Sequence, residues 1–238
     1  MRIAEIYSSL QGEGTLTGTP SVFVRASGCN LRCWFCDTPY TSWQPEGEDG
    51  SVEEVLREVQ RLKSLGNSSD ATVIEHVVIT GGEPMLFSEL IPLTQQFHEL
   101  GLHVTIETAG TLFLPVACDL MSISPKLASS TPTERRAGRW ALRHEQTRMR
   151  RDVIQRLTAD YDYQLKFVID KPTDVTEVNN WLAEFPAVDR SRVHLMPQGT
   201  DAAYLAKIGQ WLLPYCQEHG FMFCPRKHIE WYGARRGT

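Results

Sequence analysis

The sequence predicts an α/β fold: an incomplete parallel β/α barrel of about six strand–helix units, with the active site at the C-terminal ends of the strands. Three observations carry this. Short apolar runs alternate with longer segments of helical periodicity, the order that builds parallel sheets through right-handed crossovers. The runs are continuous, as in strands covered on both faces. The chemically distinctive residues (Cys29 to Cys36, Thr80 to Pro84, Glu107-Thr108, Ser124 to Lys126 and Met196 to Gly199) each follow one of those runs directly, where βα loops converge on a ligand. A closed barrel needs eight units and roughly 250 residues. The 238 residues here should form one domain, 1–238, that stays open.

In chain order, the segment Ile3 to Ser9 leads into Leu10-Gln11-Gly12-Glu13-Gly14, where the glycines flanking Glu13 read as a turn or as backbone brought close to something. Ser21 to Arg25 reads as a strand bounded by Pro20 and Gly28. Residues 44–50 are polar and turn-rich, an exposed connection. Ser51 and Glu54 have capping-box spacing, and Val52, Val55, Leu56, Val59, Leu62 and Leu65 recur at helical intervals, so a helix should run from Ser51 to a stop at Gly66. A polar loop, Asn67 to Asp70, follows. His76 to Thr80 reads as a strand stopping at Gly81-Gly82-Glu83-Pro84, Met85 to Leu100 as a helix closing at Gly101, and His103 to Thr108 as a strand ending at Gly110. Asp119 to Ser124 is a further strand, running into Pro125-Lys126.

The stretch from Glu134 to Ala159 is charged and rich in arginine, which predicts a long solvated helix or helix pair with its arginines on the surface. Tyr163 to Ile169, Val193 to Met196 and Phe221 to Phe223 read as strands, separated by helices over Val175 to Phe185 and Ala202 to His219. A basic tail follows, with Arg226, Lys227 and His228.

The formal charge of -5 and a pI near 5.8 argue against non-specific binding to nucleic acid or an anionic membrane. The N-terminal residues lack a signal-peptide pattern, and no apolar run approaches the ~20 residues that span a bilayer. A cytoplasmic protein is expected. Of the six cysteines, three fall within Cys29-Asn30-Leu31-Arg32-Cys33-Trp34-Phe35-Cys36. Such clustering in a reducing compartment points to metal or redox chemistry. Cys118, Cys216 and Cys224 read as buried structural thiols.

Several chemistries compete for the cysteine loop. Structural zinc wants four ligands, and no second pair is present. A redox pair of Cys33 and Cys36 would leave Cys29 idle. A plain electron-transfer cluster wants a fourth thiolate nearby. Three thiolates on a 4Fe–4S cluster leave one iron open to a further ligand.

The spacing Cys-x-x-x-Cys-x-x-Cys, with Phe35 before the last cysteine, resembles the signature of the radical S-adenosylmethionine superfamily, and Gly81-Gly82-Glu83-Pro84 resembles its GGEP motif. The segments Tyr7 to Gly14, Cys36-Asp37-Thr38, Glu107-Thr108, Ser124-Pro125-Lys126, Tyr163 to Val168 and Arg226 to Ile229 extend the likeness to the 7-carboxy-7-deazaguanine synthase family. That resemblance implies a carbon–nitrogen lyase that converts 6-carboxy-5,6,7,8-tetrahydropterin to 7-carboxy-7-deazaguanine with loss of ammonia, using a 4Fe–4S cluster, S-adenosylmethionine and magnesium, in the 7-deazapurine (queuosine) route. It implies that Cys29, Cys33 and Cys36 ligate the cluster. Phe35, Asp37, Gly82, Glu83, Ser124, Pro125, Lys126 and Gln198 would contact S-adenosylmethionine. Leu10, Gln11, Gly12, Glu13, Arg25, Thr80 and His228 would line the pterin pocket, with Arg25 on the substrate carboxylate, and Thr38 would serve magnesium. The N-terminal segment would then be a substrate-binding extension. Catalysis would come from the 5′-deoxyadenosyl radical rather than from a side chain. The family likeness also implies a homodimer and an electron donor such as flavodoxin or ferredoxin. A glycyl-radical-enzyme activase, or a non-catalytic iron–sulfur carrier, would share the cysteine motif. No role attaches to the arginine-rich stretch 135–156.

Overall fold

The computed structural model describes residues 1–68 and 73–238. It begins with an antiparallel hairpin of β1 (Arg2–Leu10) and β2 (Pro20–Ala26). Residues 3–9 carry no strand signal in the sequence. The register shifts between Ile3 and Glu5, and such an irregularity breaks the alternation by which a half-buried strand is recognised. A one-turn helix α1 (Pro39–Ser42) follows the cysteine loop, and β3 (Glu48–Asp49) pairs with β1 inside the stretch read as a connection. Helix α2 (Val52–Ser68) starts where expected: the Ser51 amide donates to Glu54 Oε2 at 2.8 Å and the Glu54 amide to Ser51 Oγ at 3.2 Å. It runs past the expected stop at Gly66 to Ser68. The Ser69-Asp70 end of the expected polar loop lies outside the described residues.

Beyond it come β4 (His76–Gly81), a tight turn over Pro84–Leu86, and α3 (Leu90–Glu99). This helix begins later than the expected Met85, because the Glu83 side chain accepts the Met85 amide and holds the first residues in the turn. β5 (His103–Thr108) connects to β6 (Leu120–Ile123) with no helix in between. Leu112, Phe113 and Leu114 pack on the core in its place, and Pro115 opposes helix formation there. The charged stretch forms three helices rather than one or two, α4 (Glu134–Ala137), α5 (Arg139–Thr147) and α6 (Arg151–Asp160). Gly138, at φ 53°, separates the first two. The chain ends with β7 (Tyr163–Ile169), α7 (Pro172–Ala183), β8 (Val193–Pro197), α8 (Ala202–His219), β9 (Met222–Phe223) and α9 (Lys227–Tyr232).

The strands form one sheet in the order β3-β1-β2-β4-β5-β6-β7-β8-β9, parallel from β2 onward. The edge strands β3 and β9 do not meet, so the barrel is open. Seven parallel strands, β2 and β4 to β9, stand where about six units were expected.

Successive residues face opposite sides of a strand, and here the two sides differ in chemistry. Outward, Val77, Ile79, Val104, Ile106, Met121, Ile123, Leu165, Phe167 and Leu195 are buried with Leu93, Phe97, Ile154, Leu157, Trp181 and Leu212 of the helices. Each such side chain contributes about 1.5–3 kcal/mol. Inward, the same strands carry Thr80, Glu107, Ser122, Gln164, Lys166 and His194. The polar inner face ends in the loops that hold the cysteines. No helix among the described residues is long and apolar enough to cross a membrane.

Candidate active site

At the C-terminal ends of the strands lies a cavity of about 430 Å³. Cys29, Cys33 and Cys36 form one wall, beside Phe35, Asp37 and Thr38. Gly82, Ser124, Lys126 and Gln198 border it on the loops after β4, β6 and β8, while Leu10, Gln11, Gly12, Glu13, Arg25, Thr80 and His228 lie on the hairpin, the strands and the C-terminal segment. The fold thus brings all but two of the expected site residues to one space. Glu83 and Pro125 are the exceptions: both are buried behind the surface.

Glu83 takes a bracing position. Its carboxylate accepts the Thr108 hydroxyl at 2.8 Å, the Ala109 amide at 2.9 Å and the Met85 amide at 3.1 Å. Burial still pushes its pKa up. With these bonds the carboxylate ties the end of β4 to the end of β5. The glycines before it have a different task. A Cβ on Gly82 would sit 2.1 Å from the Gly28 carbonyl oxygen, and one on Gly81 2.0 Å from that of Ala26. Only glycine lets the two loop backbones approach this closely, and the Glu83 amide then donates to the Gly28 carbonyl at 2.8 Å.

Two ionic networks cross the cavity. In the first, Arg226 pairs with Asp37 and donates to Glu13 Oε1 at 3.0 Å; Lys166 reaches Glu13 Oε2 at 3.1 Å and Glu107 Oε1 at 2.6 Å; and Thr80 donates to Glu107 Oε2 at 2.8 Å. Burial alone would raise the three carboxyls, but the facing cations win. Lys166 and Arg226 hold Glu13 far below the usual range, Arg226 lowers Asp37, and Lys166 lowers Glu107. The Lys166 ammonium, disfavoured by burial, is held charged by Glu107 and Glu13.

In the second network Arg25 donates to Glu5 Oε1 at 2.7 Å and to the Tyr7 hydroxyl at 2.6 Å, and Tyr40 also donates to Glu5, at 2.8 Å. Arg25 therefore presents only part of its fork, the Nη1 edge, to an incoming group. Glu107, Lys166, Arg226, Glu5, Tyr7 and Tyr40 had no assigned role in the sequence reading. Their only signal was membership in segments that carried the family likeness, or none at all.

The cysteine loop is held from outside. Trp43 Nε1 donates to the Cys33 carbonyl at 3.0 Å, Trp34 Nε1 to that of Ser129 at 2.7 Å, and Asn30 Nδ2 to Thr111 Oγ1 at 3.0 Å. His144, fully buried in α5, takes the Arg32 amide. Nothing in the sequence marked it.

The residues fit an iron–sulfur cluster. All three loop cysteines are free thiols on the cavity wall. Among the described residues no three such side chains converge on a single ion, as they would for zinc; cluster thiolates each take a different iron. Burial pushes the Cys29 thiol up to about 12 and the Cys33 thiol to about 11. Thiolates there need a strong local positive charge, which iron supplies.

An open parallel β/α barrel with three free thiols at its mouth and a glycine pair against their loop defines the class, a radical S-adenosylmethionine protein. The family model described as the Radical SAM superfamily matches residues 23–126. Over 99% of its length the chain is 42% identical to 7-carboxy-7-deazaguanine synthase from Rhodopirellula baltica, covering 88% of that protein. Over 95% of its length it is 44% identical to the Halobacterium salinarum enzyme of the same name, again covering 88%. The crystal structure of QueE from Escherichia coli shares the fold, with a TM-score of 0.67 at 24% identity, covering 95% of this chain and 94% of that one.

The chain belongs to the 7-carboxy-7-deazaguanine synthase family. Membership implies a 4Fe–4S cluster and S-adenosylmethionine. Neither a glycyl-radical activase nor a plain electron carrier is favoured by any of these findings.

Proposed function

We propose that this chain converts 6-carboxy-5,6,7,8-tetrahydropterin to 7-carboxy-7-deazaguanine with loss of ammonia. The observation that carries the proposal is the pairing, across one cavity, of three free thiols with a charged wall of Arg25, Glu13, Lys166 and Glu107. The cluster and S-adenosylmethionine, when bound, supply a 5′-deoxyadenosyl radical that takes a hydrogen atom from the substrate. The protein's task is to hold substrate and cosubstrate and to exclude water.

Cys29, Cys33 and Cys36 would hold the cluster. Gly82, Ser124, Lys126 and Gln198, with Phe35 and Asp37, would hold S-adenosylmethionine. Pro125 and Glu83 would act from behind, by shaping their loops. Arg25 Nη1 would meet the substrate carboxylate, a charge-assisted contact. The pterin's amino-pyrimidinone edge is rich in N–H donors, and Glu13 and Glu107, kept ionised by Lys166, would accept from it. Leu10, Gln11, Gly12, Thr80 and His228 would complete that wall. Thr38 would offer one oxygen to magnesium, the rest of its shell being water and substrate. We further take the chain to work as a single domain and as a homodimer in the cytoplasm, reduced by a carrier such as flavodoxin or ferredoxin.

Titrating the anaerobically reconstituted protein, with S-adenosylmethionine bound, against the carboxytetrahydropterin tests this. Saturable binding weakened by about tenfold or more in Arg25→Met is expected. Absence of saturable binding to the intact protein would overturn the proposal.

A further inference from the structure

The arginines of residues 134–160 divide into two sets. Arg148, Arg150, Arg151 and Arg156 each pair with a carboxylate: Glu145, Asp152, Glu184 and Asp160 respectively. Arg135, Arg136, Arg139 and Arg143 are exposed, and no carboxylate partner is found for them among the described residues. Two of the second set, Arg136 and Arg143, connect to the cysteine loop from outside the cavity, and Arg135 and Arg139 lie on the same two helices, α4 and α5. The Arg136 guanidinium lies over the Trp43 ring, 5.1 Å from its centroid, and Trp43 donates to the Cys33 carbonyl. Arg143 lies over the Trp140 ring at 4.6 Å, and Arg32 of the cysteine loop lies over the same ring at 4.0 Å. Trp34, covalently next to Cys33 and two positions after Arg32, keeps 39% of its surface in solvent, and Leu142, next to Arg143 in α5, keeps 64%.

Five cations without a carboxylate partner, on the cysteine loop and the two helices α4 and α5, on a chain of net charge -5, form a local field opposite in sign to the net charge of the molecule. Such a patch steers and orients an oppositely charged partner. It lies where the loop of the cluster ligands comes to the surface, and electron transfer weakens steeply with distance. We propose that the face carrying Arg32, Arg136 and Arg143, with Arg135 and Arg139 on the same two helices and Trp34 on the cysteine loop, docks a small acidic electron-carrier protein that reduces the cluster. This rests on the radical S-adenosylmethionine reading of the site. One electron leaves the carrier, which is oxidised by one, and enters the cluster, which is reduced by one; no bond forms or breaks. A second copy of this chain is the poorer occupant, because an isologous contact would set these cations against themselves.

The test uses the reconstituted holoenzyme, flavodoxin as the acidic probe, and Arg135→Glu/Arg139→Glu, with Arg139→Gln/Arg143→Gln as the milder variant. S-adenosylmethionine cleavage is measured with reduced flavodoxin and, separately, with dithionite, and flavodoxin affinity is measured by titration calorimetry. The flavodoxin-driven rate should fall about tenfold or more in the charge reversal, with weaker binding and a loss of salt sensitivity, while the dithionite-driven rate stays at the wild-type level. Equal flavodoxin-driven rates and affinities in wild type and both variants would overturn the proposal. So would loss of a dimer in sedimentation with the flavodoxin-driven rate unchanged, which would assign the face to a second copy. If dithionite drove no cleavage in the wild type, the radical reading itself would fail, while the calorimetric comparison would still decide whether the face docks the carrier.

Discussion

His144 Nδ1 accepts the backbone N–H of Arg32 at 3.0 Å, a bond that spans 112 positions and fixes the cysteine loop to helix α5. Because Nδ1 accepts, the proton lies on Nε2, 2.9 Å from the Ser130 hydroxyl, which donates in turn to the Leu127 carbonyl at 2.6 Å. One imidazole thus positions both the cluster loop and the turn after Ser124 to Lys126.

His144→Ala should therefore leave the Arg32 amide unpaired and the Ser130 hydroxyl with the Leu127 carbonyl alone, destabilising the protein by about 1–3 kcal/mol. Hydrogen exchange at the Arg32 amide should quicken in the metal-free protein, and a chelator should strip the reconstituted cluster several-fold faster. Unchanged exchange at Arg32 would remove His144 from this role.

The same residue gives a pH dependence of known sign. Burial and Arg148 lower its pKa to about 4, against about 6.5 in an unfolded chain. The folded protein holds it neutral, so its contribution is complete above about 6.5 and is lost as pH falls toward about 4. Denaturation of the metal-free protein across that window should show a steeper loss of stability in wild type than in His144→Ala. Parallel curves would contradict this.

Lys166 is 3% exposed and serves two carboxylates. Lys166→Met would leave Glu107 without its cation and Glu13 with Arg226 alone, at a cost of about 3–5 kcal/mol near neutral pH. Glu107, now held low by Lys166, would then titrate higher, so the deficit should shrink as the pH falls and the carboxyl takes up its proton. A deficit that did not change with pH would show that the carboxylates had found another partner.

Gly82→Ala would place a methyl group 2.1 Å from the Gly28 carbonyl. Backbone meets backbone there, so the loops after β2 and β4 must part, at about 1–3 kcal/mol. Reconstituted protein should carry clearly less iron than wild type while its circular dichroism stays the same. Full iron loading would refute the close-approach role.

Cys29→Ala and Thr38→Ala separate the two proposed metal functions. Thr38 Oγ1 lies 3.8 Å from Cys36 Sγ but is not among the thiols. Cys29→Ala should lose normal cluster loading and turnover together; Thr38→Ala should keep the cluster's electron paramagnetic resonance signal and shift only the magnesium dependence of turnover. Equal failure of both would remove Thr38 from the magnesium site.

Much of this was readable from residue order. Runs such as Val77-Val78-Ile79 marked the buried strands, and the spacing of Cys29, Cys33 and Cys36 marked the loop, because both are local patterns. The missed features depend on pairing at a distance. Lys166 finds Glu13 153 positions away and Glu107 59 positions away, and no periodicity records such a partner. The bonds of Glu83 to the Thr108 hydroxyl and the Ala109 amide, 25 and 26 positions away, are equally invisible in residue order. β1 escaped for a local reason, the register shift between Ile3 and Glu5.

The central claim is that one cavity brings cluster, S-adenosylmethionine and carboxytetrahydropterin together. Its most direct test is anaerobic incubation of the reconstituted protein with all three, a reductant and magnesium, followed by chromatography of the products. Formation of 7-carboxy-7-deazaguanine with release of ammonia is the expected result. An intact cluster that cleaves S-adenosylmethionine to 5′-deoxyadenosine yet yields no deazaguanine would contradict the assignment and point to a different radical substrate.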